Sequence, residues 1–265
     1  MKRISSTLIT SLADEKKCPF LINEMYIKKS VRSEPTKAML MGLFFEQLVL
    51  GVKDKVISIP KLKNGNESTD EERVREQATK ILKEVFPQYG IDIRKPSSKS
   101  FQRFEIEFKE DGFVLVGEFD LLAEINDPDL GRIDAIIDLK LTKNINYENN
   151  QENSGKVWSW RYPHNRDHTQ AYLYSYIYSI LFGKEAKFYY LVSDYKTSPE
   201  HLLIRKKFGD MEYRELRQSI TDTINKIDDY NANGWPYNPK WENCKNCPLK
   251  NVCSKAIKTP PVQEV

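Results

Sequence analysis

The sequence predicts a mixed α/β protein in which a central mixed β-sheet is flanked by helices. Three observations predict it. Between residues 104 and 142 apolar and polar residues alternate with the period of strands. Segments with helical patterning and capping signals stand on either side of that region. Apolar residues make up 40% of the 265, enough for a core, yet no run of 18 is long enough to cross a membrane.

The elements follow in order. Ile4 to Leu12 leads into a helix expected to carry Cys18 and Met25-Tyr26-Ile27, and Pro35 breaks the polar stretch after it. Ala38 to Leu50 is apolar nearly all round, so as a helix it is expected to be buried. Lys61 to Asn66 reads as a loop. Thr69 with Glu72 resembles a capping box that opens a helix to about Phe86, ended by Pro87 and Gly90. Phe104 to Phe108 is a short strand. Phe113–Ile125 and Ile133–Thr142 are longer ones, joined as a hairpin by the turn formers from Asn126 to Gly131. Asn144 to Asn165 is a long polar loop, and loops of that length are often functional. A helix over Asp167–Phe182, strands at Lys187–Ser193 and Leu202–Phe208, and a helix from about Glu212 to Asn231 complete the pattern.

Lys and Arg number 41 against 38 Asp and Glu, a net charge of +3. That balance excludes a polybasic tail protein and an acidic disordered one, so any nucleic-acid contact must come from a local patch. The start of the chain lacks the apolar core of a secretory signal, and a cytoplasmic protein is expected.

Cys244, Cys247 and Cys253 crowd within ten residues, while Cys18 lies far away before Pro19. Two disulfides are the bland alternative, but a chain of this size does not need staples. A Cys-x2-Cys pair with two further sulfurs suits a four-thiolate metal centre, and zinc and an iron–sulfur cluster both fit the count. Either would tie residue 18 to residue 244.

The hairpin is the informative feature. On its first strand Phe113, Leu115, Gly117, Phe119, Leu121, Ala123 and Ile125 are expected to share one face, with Glu118, Asp120 and Glu124 on the other. On the second, Asp138 and Lys140 fall on the mixed face, and a turn centred near Asp129 pairs residue 120 with residue 138. Two like charges at such a spacing repel, and a divalent cation between them turns the penalty into a site. Oxygen ligands suit Mg2+ or Mn2+. The plainer reading is an Asp–Lys lattice on a solvated sheet face. Glu46, interrupting an apolar helix, favours the shared ion, with Gly42 one turn earlier leaving room for close approach to the sheet.

These residues resemble the PD-(D/E)XK nuclease superfamily, in particular its RecB-like branch of CRISPR-associated and helicase-coupled exonucleases. Gly117-Glu118-Phe119-Asp120 is similar to the G-x-x-D strand, and Asp138-Leu139-Lys140 to the D/E-x-K strand. Gly42 to Glu46 is similar to the helix motif, in which many relatives carry histidine where this chain has glutamate. Gln170 to Tyr174 resembles the Q-x-x-x-Y motif, whose side chains lie beside the active centre and help position DNA. The cysteines Cys18, Cys244, Cys247 and Cys253 resemble that branch's iron–sulfur clasp, usually a 4Fe–4S cluster, with Zn2+ as the alternative.

The resemblance implies a restriction-endonuclease-like core over about residues 36–210 within one nuclease domain, its segments 1–35 and 211–256 joined by the cysteines. It implies Glu46, Asp120, Asp138 and the Leu139 carbonyl as ligands of Mg2+ or Mn2+, with Lys140 assisting the nucleophile. The substrate would be DNA, single-stranded or at duplex ends, and the expected activity an exonuclease's in recombination, repair or foreign-DNA processing, with a helicase or integrase as partner. A non-catalytic DNA-binding module organised by zinc, or a sequence-specific endonuclease of the same superfamily, is the alternative. Trp158, Trp160, Arg161 and Arg166 are candidates to stack on bases and hold phosphates, with buried anchoring of the tryptophans as the competing reading. His164 and His168 are spaced for a shared metal, though Pro163 favours a polar loop leading to a helix start. Tyr172, Tyr174, Tyr176 and Tyr178 cannot all share one helix face, so some of them pack.

Overall fold

The computed structural model describes residues 2–51, 57, 68–93, 99–108, 112–146, 149–150, 157–161 and 167–259. In chain order the elements are β1 (Lys2–Ile4), α1 (Ser6–Ala13), α2 (Pro19–Ile22), α3 (Lys37–Leu50), α4 (Thr69–Lys80), α5 (Phe86–Gln88), β2 (Lys99–Phe108), β3 (Phe113–Asp127), β4 (Gly131–Thr142), β5 (Asn149–Asn150), β6 (Val157–Trp158), α6 (Thr169–Phe182), β7 (Lys187–Asp194), β8 (His201–Lys206), α7 (Asp210–Asn233) and α8 (Trp241–Cys244). Single π-helical turns occupy Asn23–Ile27 and Ile81–Val85. Among the described residues no helix is long and apolar enough to cross a membrane.

The chain forms two compact units. One comprises Met1–Glu34, Glu105–Val116 and Gly209–Val265, the other Pro35–Phe104 and Gly117–Phe208.

In the second unit β3 and β4 pair antiparallel, from Leu121↔Ile137 to Asp127↔Gly131. β4 runs parallel to β7, with Asp138 beside Tyr190, and β7 pairs antiparallel with β8. The sheet is therefore mixed, as expected. Met41, Phe45 and Val49 of α3 and Val74 and Ala78 of α4 are buried with Leu121, Ala123, Ile137, Leu139, Tyr189 and Leu191, which forms the main core. Each of the Val, Leu, Ile, Phe and Met side chains among them contributes about 1.5–3 kcal/mol on leaving water.

Helix starts follow the capping chemistry, with one correction. Thr36 caps α3 by accepting a hydrogen bond from the Met39 N–H at 3.2 Å. The cap of α4 is Ser68, one residue before the expected Thr69; its hydroxyl accepts from the Glu71 N–H at 3.2 Å. Gly51 ends α3 and Gly183 ends α6 in the left-handed region, with φ of 68° and 64°.

The hairpin turn is anchored by a buried aspartate. Asp127 Oδ1 accepts from the N–H groups of Asp129 and Leu130, both at 2.9 Å, and from Arg205 Nη1 at 2.6 Å, while Tyr189 donates to its other oxygen. Burial alone would raise this carboxyl, but those donors outweigh it and hold it at about 2. Asp194, fully buried at the end of β7, accepts from the Ile145 N–H at 3.1 Å and the Glu200 N–H at 2.8 Å, and so fixes the chain leaving β4.

The first unit is organised around α1 and α7. Leu8, Ile9 and Leu12 of α1 and Leu216, Ile220 and Ile227 of α7 are buried, and Lys226 Nζ donates to the Leu12 carbonyl at 2.9 Å. β1 pairs parallel with the first residues of β3, Lys2↔Phe113 to Ile4↔Leu115. Cys18 lies just before α2 rather than inside a helix, because Pro19 occupies the first helical position.

Candidate active site

The alternation expected along β3 does not run through. Phe119 packs on Tyr174 of α6, with ring centroids 4.8 Å apart, whereas Leu121 joins the core with α3 and α4. Gly117 faces α6 as well: a Cβ there would come within 3.1 Å of Ile177 Cδ1 and 3.2 Å of Tyr174 Cδ1. The strand thus switches face between Phe119 and Leu121, where its pairing with β4 stops, as strands do at irregularities that re-aim a side chain. The close approach is at Gly117 rather than at Gly42, where a Cβ would meet nothing within 4 Å.

Asp120 stands at this switch. One step beyond Leu121↔Ile137 lie Asp120 and Asp138, which the turn position is expected to pair but which the ladder does not reach. The Asp120 carboxylate turns to β4 and accepts from the Leu139 N–H at 2.8 Å. Asp138 is 1% exposed. Its Oδ1 accepts from Gln170 Nε2 at 3.0 Å, and its Oδ2 is ion-paired with the Lys140 ammonium. That depth excludes a solvated Asp–Lys lattice. Gln170 Nε2 also lies 3.2 Å from the Tyr174 hydroxyl, so the first turns of α6 grip the acid on β4.

The electrostatics bring in Glu46. Burial pushes its carboxyl up to about 7; Lys140 opposes this, and Asp138 and Glu118 add to it. Asp120 lies well above the usual carboxylate range through burial first, then through Asp138 and Glu46, against Lys140 and the Leu139 N–H. Tyr174 is pushed up to about 12 by burial, with Gln170 opposing and Asp138 and Asp120 reinforcing, so its hydroxyl stays protonated. These carboxylates are held within one another's fields, with Lys140 as the ammonium among the described residues that opposes them. Sequence reasoning gave Glu118 no role, although its spacing two residues before Asp120 was the available signal.

The donor set is all oxygen, which suits a hard divalent cation. Among the described residues no three acidic, histidine or cysteine side chains already stand at ligand spacing. The acids are within electrostatic reach of one another but are not drawn onto one point.

Other candidates divide. Trp160 is 6% exposed, and its ring lies 5.5 Å from that of Tyr190, so it is an anchor rather than a stacking platform for bases. Arg161, at the surface, is ion-paired with Glu200 and bonded to Asn146 Oδ1. The Trp158 side chain, His164 and Arg166 lie outside the described residues. His168 is buried at the start of α6, with Nδ1 3.2 Å from the Tyr190 hydroxyl, and serves packing. Tyr174 and Tyr178 are buried, as the helix geometry requires of some of the four tyrosines.

In the other unit all four cysteines are free thiols, which removes the disulfide reading. They line one pocket with Phe20, Tyr237 and Asn238. The Cys247 thiol is raised by burial first; the Leu249 N–H opposes this, and the other three cysteines add to it. The set is chemically suited to a thiophilic metal.

Comparison with known proteins places these motifs in context. The family described as the PD-(D/E)XK nuclease superfamily matches residues 46–254. A solved protein of Eubacterium rectale, described as a candidate exonuclease, is 17% identical with a TM-score of 0.66, over 97% of this chain and 91% of that one. The protein SSO0001 aligns over 97% of this chain and 88% of its own at 11% identity, with a TM-score of only 0.39. No curated protein matches. The first of these structures shares the mixed α/β fold.

Proposed function

Because the chain belongs to the PD-(D/E)XK nuclease superfamily, we propose that it is a Mg2+- or Mn2+-dependent DNA nuclease acting as an exonuclease of the RecB-like branch. The observation that carries this reading is the grip on Asp138: a buried carboxylate held by Gln170 on one oxygen and Lys140 on the other, beside Asp120 and Glu46. The exonuclease description of the Eubacterium rectale protein agrees with it.

Glu46, Asp120, Asp138 and the Leu139 carbonyl would hold the cation. Bound there, a divalent ion supplies Lewis-acid charge for activating water and neutralising the scissile phosphodiester. The protein's own residues do the rest. Gln170 fixes the Asp138 carboxylate in one orientation through its 3.0 Å bond. Lys140 holds a mobile positive charge at Nζ that can pass from Asp138 to the phosphate oxygens as charge develops there. Tyr174 remains a hydrogen-bond donor at neutral pH. The unit with Cys18, Cys244, Cys247 and Cys253 is a structural part of the same nuclease domain, closed by a 4Fe–4S cluster, with zinc as the alternative that metal analysis distinguishes.

Asp120→Asn and Asp138→Asn provide the test. Each is expected to remain folded by circular dichroism and to lose divalent-dependent digestion of linear DNA by about three orders of magnitude. Full activity in both variants would overturn the assignment. Cutting of closed circular DNA by the wild type would replace the exonuclease with an endonuclease.

A further inference from the structure

We infer that Asn238 is a positioning residue that sets Cys18 in place for the cysteine centre before any metal arrives. This rests on reading the four cysteines as a metal clasp, and it concerns how that clasp is built. The difficulty is one of chain entropy: three of the sulfurs lie within ten residues of one another, while Cys18 must be brought from more than two hundred residues away. A metal could do this by itself, in which case binding and folding are one event. The geometry points elsewhere.

The Asn238 side-chain amide faces three successive carbonyls of the loop before Cys18. Its Nδ2 lies 3.1 Å from Glu15 O, 3.1 Å from Lys16 O and 3.2 Å from Lys17 O. Those carbonyls converge because Asp14 closes a tight turn, accepting from the Lys16 N–H on its side chain and from the Lys17 N–H on its backbone, both at 3.0 Å. The Asn238 backbone N–H then points at Cys18 Sγ, 3.4 Å away. One residue therefore holds both the loop and the sulfur.

The C-terminal side is locked in the same way. Asn243 Nδ2 donates to Lys16 O at 2.8 Å and to Asn238 O at 3.0 Å, one residue before Cys244. The Phe20 N–H donates to Pro236 O at 3.0 Å, and the Phe20 and Tyr237 rings stack with centroids 4.4 Å apart. The uncharged amide carries two hydrogens on one nitrogen, and so can donate to more than one of these carbonyls. Aspartate has the same shape and none of the donors.

Asn238→Asp and Asn238→Ala are the test, each compared with the wild type in full-length protein purified anaerobically. The first measurement is the alkylation rate of each cysteine after metal is stripped with a chelator, read by mass spectrometry. Cys18 is expected to react about tenfold faster in Asn238→Asp, and less markedly faster in Asn238→Ala, while Cys244, Cys247 and Cys253 keep their wild-type rates. A merely structural role would accelerate all four together, and that result, or unchanged Cys18, would overturn the inference. The second measurement is iron and zinc content, together with the rate of metal loss to a chelator, expected to rise about 10- to 100-fold in the variants. A wild type that holds metal alongside variants that hold it equally well defeats the latch and leaves the clasp standing. A wild type that takes up neither metal defeats the clasp, and the thiol rates alone then judge the latch.

Discussion

Replacing Glu46 with glutamine should make the metal-free protein more stable and the nuclease less active, and the first effect should depend on pH in a defined way. Glu46 sits at about 7 against an ordinary 4.5, pushed there by burial and by the neighbouring Asp138 and Glu118. A carboxyl with a raised value in the folded state keeps its proton longer there than in the unfolded chain. Folding stability therefore falls as pH rises from about 4.5 to about 7, and stays lowered above that. A displacement of that size corresponds to about 3 kcal/mol. Glu46→Gln carries no such burden. In chelator, its advantage over the wild type should be near zero at pH 4.5 and should grow to about 3 kcal/mol above pH 7, or roughly 6–12 °C in melting temperature. Urea or thermal unfolding at a series of pH values measures it. Adding Mg2+ or Mn2+ should narrow the gap, since a cation at 100 times its dissociation constant stabilises the wild type by about 2.7 kcal/mol and the variant by less. A Glu46→Gln protein that is less stable at pH 8, or whose difference from wild type ignores pH, would show that this carboxylate is not crowded among the others.

The remaining predictions concern the support of the site. Gln170→Ala removes the donor at 3.0 Å from Asp138 and should lower nuclease activity about 10- to 100-fold in steady-state assays while leaving the requirement for a divalent cation intact. Gly117→Ala places a Cβ 3.0 Å from Phe119 Cε1 and 3.1 Å from Ile177 Cδ1, and should cost about 1–3 kcal/mol in chemical denaturation. Gly42→Ala meets nothing within 4 Å in a helix interior, and should instead stabilise the protein by about 1 kcal/mol.

What could be read from the sequence was set by local chemistry. The hairpin was legible because its turn is written in Asp127, Asp129 and Gly131 and its strands in alternation, and the register observed from Leu121↔Ile137 onward is the one that the turn implies. The acids were legible because a charge in an apolar pattern needs a reason. The switch of face at Asp120 was not, since a period-two pattern carries no mark of where pairing with the neighbouring strand ends. Nor was the choice between Gly42 and Gly117 as the point of close contact, which depends on where α6 lies, more than fifty residues later in the chain. Trp160 and Arg161 looked suited to nucleic acid because composition cannot distinguish an open ring from one packed on Tyr190, or a free guanidinium from one paired with Glu200. Asn238 gave no signal at all, because asparagine in a polar tail is ordinary and its partners lie at the other end of the chain.

The place where β3 and β4 part explains why an aspartate is needed at position 120 for more than its charge. Carried past Leu121↔Ile137, an unbroken ladder would set Leu139 opposite Phe119, and the Leu139 N–H would seek a backbone acceptor there. Phe119 has turned to α6 instead, and the Asp120 carboxylate fills the gap at 2.8 Å. One carboxylate oxygen thus replaces a missing backbone carbonyl, leaving the other for the cation that we propose. An N–H left without any acceptor in this buried strand would cost about 1–3 kcal/mol, so alanine at this position would damage the sheet and the reaction together. Asparagine keeps a carbonyl oxygen for Leu139 and loses only the charge. The separation between Asp120→Asn and Asp120→Ala in unfolding experiments therefore measures the structural half of this residue's work, and what Asp120→Asn loses in digestion measures the other half.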